Sequence, residues 1–249
     1  MAALWQALAT EGLWFLILGV VIAGVVRGFS GFGTAMVYIP IAAQVLPPVW
    51  AIATMLVMDF FGPMPAVPRA WRDSHPPDLI KLGVGTLVGI PLGLYLLTRM
   101  PPDTFRSVVS FVTLALLILL ISGFRYRGAV GGKTLFATGG VAGVFGGAVG
   151  LAGPPAILLY MARPIPVAAI RANILLFLLA TDVLLLALFA VQGLLAISPV
   201  LIGLILAPFY LVAVWAGSAI FDPARGSVYR WVAYAIIAGS ALGGLPFWD

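Results

Sequence analysis

Apolar runs and short polar turns alternate from one end of the chain to the other, and the natural ruler for them is the helix of about 20 residues that crosses a bilayer. Six runs reach that length, at residues 49–67, 79–98, 105–123, 168–191, 197–218 and 228–247. Two other regions, 13–46 and 134–163, do not fit the ruler, because each is cut in its middle. The first is cut by RGFSGFG, Arg27 to Gly33, and the second by GGAVGLAGPP, Gly146 to Pro155. Glycine costs about 1 kcal/mol in a helix interior and proline about 3 kcal/mol, so such clusters predict non-helical backbone at membrane depth. Lipid cannot satisfy the N–H and C=O groups that a break releases. Both breaks must therefore face protein or a watery cavity.

Composition fixes the solvent. Hydrophobic residues make up 63% of the 249 and charged residues 8%, against roughly 25% charged in an average soluble domain. There are too few polar residues to cover a water-soluble core. Leu13 to Val26 does not read as a cleaved leader, since Glu11 precedes it and no basic residue occurs before Arg27. With no cysteine and one histidine, disulfides, thiol chemistry and cysteine metal sites are excluded, and no cofactor or metal is expected. The net charge of +5 lies in short loops rather than along one face. It reads as an orientation signal, not as a nucleic-acid surface.

The two breaks also align with each other. A shift of 119 residues lays Ala23–Met36 over Ala142–Pro155, pairing Gly24 with Gly143, Gly28 with Gly147 and Gly31 with Gly150; further on, a shift of 124 pairs Gly93 with Gly217 and Phe105–Arg106 with Tyr229–Arg230. The chain reads as a duplication, with repeats at 1–127 and 128–249. Arg69, Arg72 and Lys81 flank one loop and Arg125, Arg127 and Lys133 another; placing both on the cytoplasmic side, with Arg225 and Arg230, leaves the turn at Arg99–Arg106 and the uncharged 192–198 loop outside. This works only if each broken region enters and leaves by the same face. The expected architecture is thus an all-α polytopic membrane protein of two inverted repeats, each a re-entrant hairpin plus three transmembrane helices, with both termini outside.

In such a hairpin the second short helix begins at the tip, so its free N–H groups and positive dipole end point into the protein. That is an anion site. The starts fall near Gly31, Gly33 and Thr34 and at Gly153, where Pro154 and Pro155 suit a first turn that needs few donors. Inversion would bring the two tips together at mid-membrane depth, where secondary transporters hold substrate. Glycines that merely allow close helix packing are the plainer reading of the same residues.

GFSGFG at the first break, GVFGGAVGLAGPP at the second and RANILLF, Arg171 to Phe177, resemble the TauE/SafE sulfite exporter family over nearly the whole chain. The resemblance implies a transporter of two homologous halves in a bacterial-type inner membrane, moving small sulfur-containing anions such as sulfite, thiosulfate, sulfoacetate or other sulfonates. A homo-oligomer is compatible with it. Ala152 and the proline pair depart from the glycine-only style of the first break.

Polar side chains inside the spans are costly and few. Arg27, Ser30, Thr34, Thr54, Asn173 and Arg171 are candidate substrate contacts, Thr54 and Asn173 as equivalents under the shift of 119. Each has a structural alternative: helix-end capping for Arg27, bonding back to helix carbonyls for the hydroxyls, and snorkelling for Arg171. Asp59 and Asp182 are candidates for proton coupling, or for ion pairs with the arginines. His75, in RDSHPPD, reads as a solvated loop residue, and Trp5, Trp14, Trp231 and Trp248 as interfacial anchors.

Two rival functions are weighed. Gly28–Gly31 matches the G-x-S-G of rhomboid intramembrane proteases, but a serine nucleophile needs a base in reach, and the single histidine is placed in a loop. The chain is not expected to be an enzyme. A passive anion channel is closer, since the same tips could line a pore. The lack of an ATP-binding loop leaves gradients as the energy source.

Overall fold

The computed structural model describes residue 7 and residues 11–123, 130–163, 165–222 and 226–246. Trp5, Trp248, Arg125, Arg127 and Arg225 lie outside these. Among the described residues every regular element is helical. In chain order they are α1 (Leu13–Ser30), α2 (Thr34–Ala42), α3 (Pro48–Phe61), a 3-10 turn (Met64–Ala66), α4 (Val67–Asp73), α5 (Pro76–Arg99) and α6 (Pro102–Ile121). There follow α7 (Gly132–Val149), α8 (Gly153–Tyr160), α9 (Val167–Val191), α10 (Ile197–Ile220) and α11 (Gly226–Gly243).

Five helices, α1, α5, α6, α9 and α10, are long and apolar enough to cross a membrane. Large apolar side chains face outward from them, among them Val191 (84% exposed) and Trp215 (71%), as expected where the solvent is lipid. Two of the expected spans are drawn differently. The run 49–67 is interrupted, because α3 stops at Phe61 ahead of Gly62 and Pro63; it counts as a further span only when α3 and the Met64–Asp73 segment, bent at that point, are taken together. Proline has no N–H to continue the ladder, and glycine offers the least resistance to the bend. The run 228–247 forms the shorter α11, which is not among the spanning helices; Arg230, Ser227, Ser240 and its glycines dilute its apolar content.

The chain divides into two compact units, one of Met1–Gly62, Met100–Ile118 and Phe189–Asp249, the other of Pro63–Arg99 and Leu119–Leu188. Each draws on both halves of the sequence.

In the first unit, α1 ends on Gly31 (φ 79°), whose N–H donates to Arg27 O at 2.8 Å, and Gly33 (φ 100°) precedes α2. Both lie in the left-handed region, which costs residues with a Cβ about 1–2 kcal/mol. The chain then folds back. A Cβ on Gly33 would lie 3.3 Å from Val26, one on Gly19 2.8 Å from Ile41 and one on Gly12 2.9 Å from Val45, so the hairpin closes with its two ends side by side. Helix α10 crosses α1 at glycines: a Cβ on Gly28 would lie 2.3 Å from Val214 O and 2.8 Å from Gly217 Cα, and one on Gly24 3.0 Å from Tyr210 O.

In the second unit, α7 ends on Gly150 (φ 72°) and α8 starts three residues later. Leu135, Ala142, Ala156, Leu159 and Tyr160 share one buried cluster, against which Val130 and Ile165, flanking the hairpin, both pack. This arrangement again implies a reversal. Helix α5 crosses α7 as α10 crosses α1. A Cβ on Gly147 would lie 2.8 Å from Ile90 O and 3.0 Å from Gly93 Cα, and one on Gly143 2.4 Å from Thr86 O. Under shifts of 119 for the hairpin and 124 for the crossing helix, Gly28, Val214 and Gly217 become Gly147, Ile90 and Gly93, and Gly24 with Tyr210 becomes Gly143 with Thr86.

The aligned glycines therefore split by role. Gly24 and Gly28, with Gly143 and Gly147, let helices approach, while Gly31 and Gly150 turn the chain. Close packing and helix breaking, offered above as alternative readings, are assigned to different members of one motif.

Candidate functional site

In the first unit the candidate site is built at the start of α2. Val37 is the first residue to bond back within this helix, its N–H donating to Gly33 O at 3.0 Å, so the N–H groups of Thr34, Ala35 and Met36 have no intrahelical acceptor. They and the dipole make the start electropositive. Arg27 sits in the last turn of α1, where its charge offsets the negative end of that helix. Beside them Gly31 is exposed, and a Cβ there would meet nothing within 4 Å.

Thr34 leads inward from this start. Its Oγ1 lies 2.8 Å from the Tyr210 hydroxyl, and Tyr210 donates a hydrogen bond to Asp59 Oδ1. All three are buried: Thr34 1%, Tyr210 0% and Asp59 6% exposed. Arg27 is within electrostatic reach of Tyr210. Three residues singled out separately in the sequence, Arg27, Thr34 and Asp59, thus converge on a fourth that was not. Tyr210 was hidden in α10 among apolar neighbours, and only the fold brings it next to α3.

Ser30 is turned to the backbone. Its hydroxyl lies 2.6 Å from Val26 O and 2.7 Å from Phe32 O, and it accepts from Phe32 N–H at 3.3 Å. It ties the end of α1 across the break, the back-bonding use of a small hydroxyl, and its described partners include no base. Thr54 is fully buried. Its hydroxyl donates to Ala51 O at 3.0 Å and accepts from Tyr38 at 2.9 Å.

The second unit has a poorer helix start. Of the first three residues of α8, Gly153, Pro154 and Pro155, only Gly153 has an N–H, and the last turn of α7 has no basic residue. Asn173, on α9, is fully buried; its Oδ1 accepts from His75 N–H at 2.8 Å, while its Nδ2 has no hydrogen-bond partner. The Tyr160 hydroxyl is likewise buried without a partner. His75 keeps a side chain 59% exposed, as expected, but its Nδ1 lies 3.2 Å from Asp78 Oδ1, and Asp78 also binds Arg163. Asp78 and Arg163 were not legible as site residues, because only the fold joins the start of α5 to the end of α8. Arg171 is exposed and Asp182 buried on α9. Among the described residues no group of acidic or histidine side chains is placed to hold a metal ion.

Neither the comparison with curated proteins nor that with solved structures returned a match. A family profile described as Sulfite exporter TauE/SafE matches residues 16–243, a stretch that takes in both breaks, both glycine crossings and every candidate substrate or proton-coupling residue named above. The chain is a multi-pass membrane protein that belongs to the sulfite exporter TauE/SafE family.

Proposed function

We propose that the chain is a secondary transporter, working as an exporter, of small sulfur-containing anions such as sulfite, thiosulfate or organosulfonates. The anion is held at mid-membrane depth on the N–H groups at the start of α2, with Gly31 and Gly33 permitting close approach, Arg27 supplying positive charge and Thr34 a hydroxyl. In the second unit the equivalent element is the start of α8 at Gly153, with Asn173 and Arg171 as its candidate side chains. Thr54 stands behind α2, held by Tyr38. Asp59 and Asp182 carry the coupling proton. The recurrence of the same helix crossing under two sequence shifts supports reading the chain as two repeats, inverted in a bacterial-type inner membrane with both termini outside, and alternating access follows from movement of the repeats.

One observation carries the reading: a helix start whose first three N–H groups have no intrahelical acceptor follows, across the break, a helix end that carries Arg27, in a member of the sulfite exporter TauE/SafE family. The test is flux in proteoliposomes loaded with sulfite, thiosulfate or sulfoacetate, with and without a proton gradient. Saturable flux that responds to the gradient is expected. Flux indifferent to it identifies a passive anion channel, and no flux of any of these anions overturns the reading.

A further inference from the structure

Resting on that reading, we propose that Tyr210 is the positioning residue through which the protonation of Asp59 controls anion binding at Thr34. The basis is hydrogen-bond arithmetic. A tyrosine or threonine hydroxyl has one hydrogen to donate, and an ionised carboxylate has none. With Asp59 ionised, Tyr210 gives its hydrogen to Asp59. The contact of 2.8 Å with Thr34 is then made with the threonine hydrogen, which points at Tyr210 and away from the helix start.

Protonation reverses the order. The new O–H of Asp59, 6% exposed, needs an acceptor, and the Tyr210 oxygen is already in contact. Once Tyr210 accepts from Asp59 it donates to Thr34, and the threonine hydrogen is released towards an anion on α2. One O–H bond forms, on Asp59, with a proton from the aqueous side; the tyrosine and threonine hydrogens stay on their own oxygens and only rotate. The ring is fully buried and packs against two glycines, where a Cβ on Gly62 would lie 3.1 Å from its Cε1 and one on Gly24 3.3 Å from its Cδ2. Glycines at both positions make room for the ring. Asp59 has a simple electrostatic surrounding. The titratable or charged side chains on the helices packed about it are Arg27 on α1, Tyr38 on α2 and Tyr210 on α10, and α3 has none besides Asp59.

The linkage is positive, so anion and proton bind together, and each tightens the other by the same factor. A divalent oxyanion carried with one proton keeps one net negative charge, so an inside-negative potential still drives it outward.

The test is calorimetric titration of the full chain in detergent with thiosulfate, and in separate runs sulfoacetate, between pH 5 and 8, for wild type, Tyr210→Phe, Thr34→Val and Thr34→Ser, with thermal unfolding as the check on folding. Wild-type Kd should rise with pH from a tight acid value to a weak alkaline value, by about tenfold or more in all, the size of one hydrogen bond to a charged group. The variants should part in opposite directions. Tyr210→Phe removes the acceptor that captures the threonine hydrogen, so its Kd should stay at the tight acid value throughout. Thr34→Val should stay at the weak alkaline value, and Thr34→Ser should keep the wild-type slope. A wild-type slope in Tyr210→Phe or Thr34→Val means that Asp59 acts directly through its charge and overturns the relay alone. Wild-type binding without a slope overturns both the relay and Asp59 coupling while sparing the anion site. Absence of thiosulfate and sulfoacetate binding in folded wild type overturns the proposed function and the relay with it.

Discussion

Gly28 on α1 and Gly217 on α10 meet backbone to backbone, with space for a hydrogen and not for a methyl group: a Cβ on Gly217 would lie 2.3 Å from Val25 O, and one on Gly28 2.8 Å from Gly217 Cα. Gly28→Val should therefore separate the helices and destabilise the first unit by about 1–3 kcal/mol. Gly147→Val should do the same in the second unit. Gly83→Ala, at a helical position where a Cβ meets nothing within 4 Å, should be neutral or stabilising by up to about 1 kcal/mol. Thermal unfolding in detergent separates the three.

At Gly31 the requirement is conformational rather than steric, since φ is 79° in open space. Gly31→Ala should cost only about 1–2 kcal/mol of stability yet lower flux, because straightening the turn moves the start of α2. Unaltered flux in a folded variant would place Gly31 outside the site.

Arg27→Ala should leave folding intact and raise KM for the anion about tenfold or more, the size expected for one charge-assisted hydrogen bond. Arg27→Lys should recover part of the loss. Wild-type transport in Arg27→Ala removes the residue from the site.

For Asp59 and Asp182 the measurement is a pH profile of flux. Asp59→Asn and Asp182→Asn should each flatten it, while an unchanged profile in both defeats proton coupling at these residues. Asn cannot bind the proton, so the effect belongs on pH dependence before it belongs on maximal rate.

Asp78 gives a prediction about stability rather than transport. Its side chain is 5% exposed and its partner Arg163 20% exposed, so Arg163→Ala strands a buried carboxylate and should cost on the order of 3 kcal/mol. His75→Ala, removing a partner 59% exposed, should cost about 1 kcal/mol or less. The double variant Asp78→Ala with Arg163→Ala should cost less than the sum of the single changes.

The helices and both breaks were legible in the sequence because lipid punishes polar backbone, leaving interrupted apolar runs as a strong local signal. The end of α3 was not, because Gly62 and Pro63 fall late in a run that still looks continuous by length. Of the candidate residues, Arg27, Thr34 and Asp59 announced themselves by being polar among apolar neighbours. Tyr210 did not, since a tyrosine in a membrane helix usually signals an interface, and its role comes from contacts 176 and 151 residues away along the chain. Asn173 was paired with Thr54 by the shift of 119, but the two differ in satisfaction: the threonine hydroxyl is fully bonded, while the amide retains an unused donor.

The adjacent imino acids at 154 and 155 bear on stoichiometry. Duplication would suggest two equal ligands per polypeptide, but a helix whose first turn keeps one donor in three, after a helix that ends without a basic residue, cannot match its sister. Titrated to saturation, one polypeptide should take up a single anion, and the weaker copy is then free to diverge towards other work.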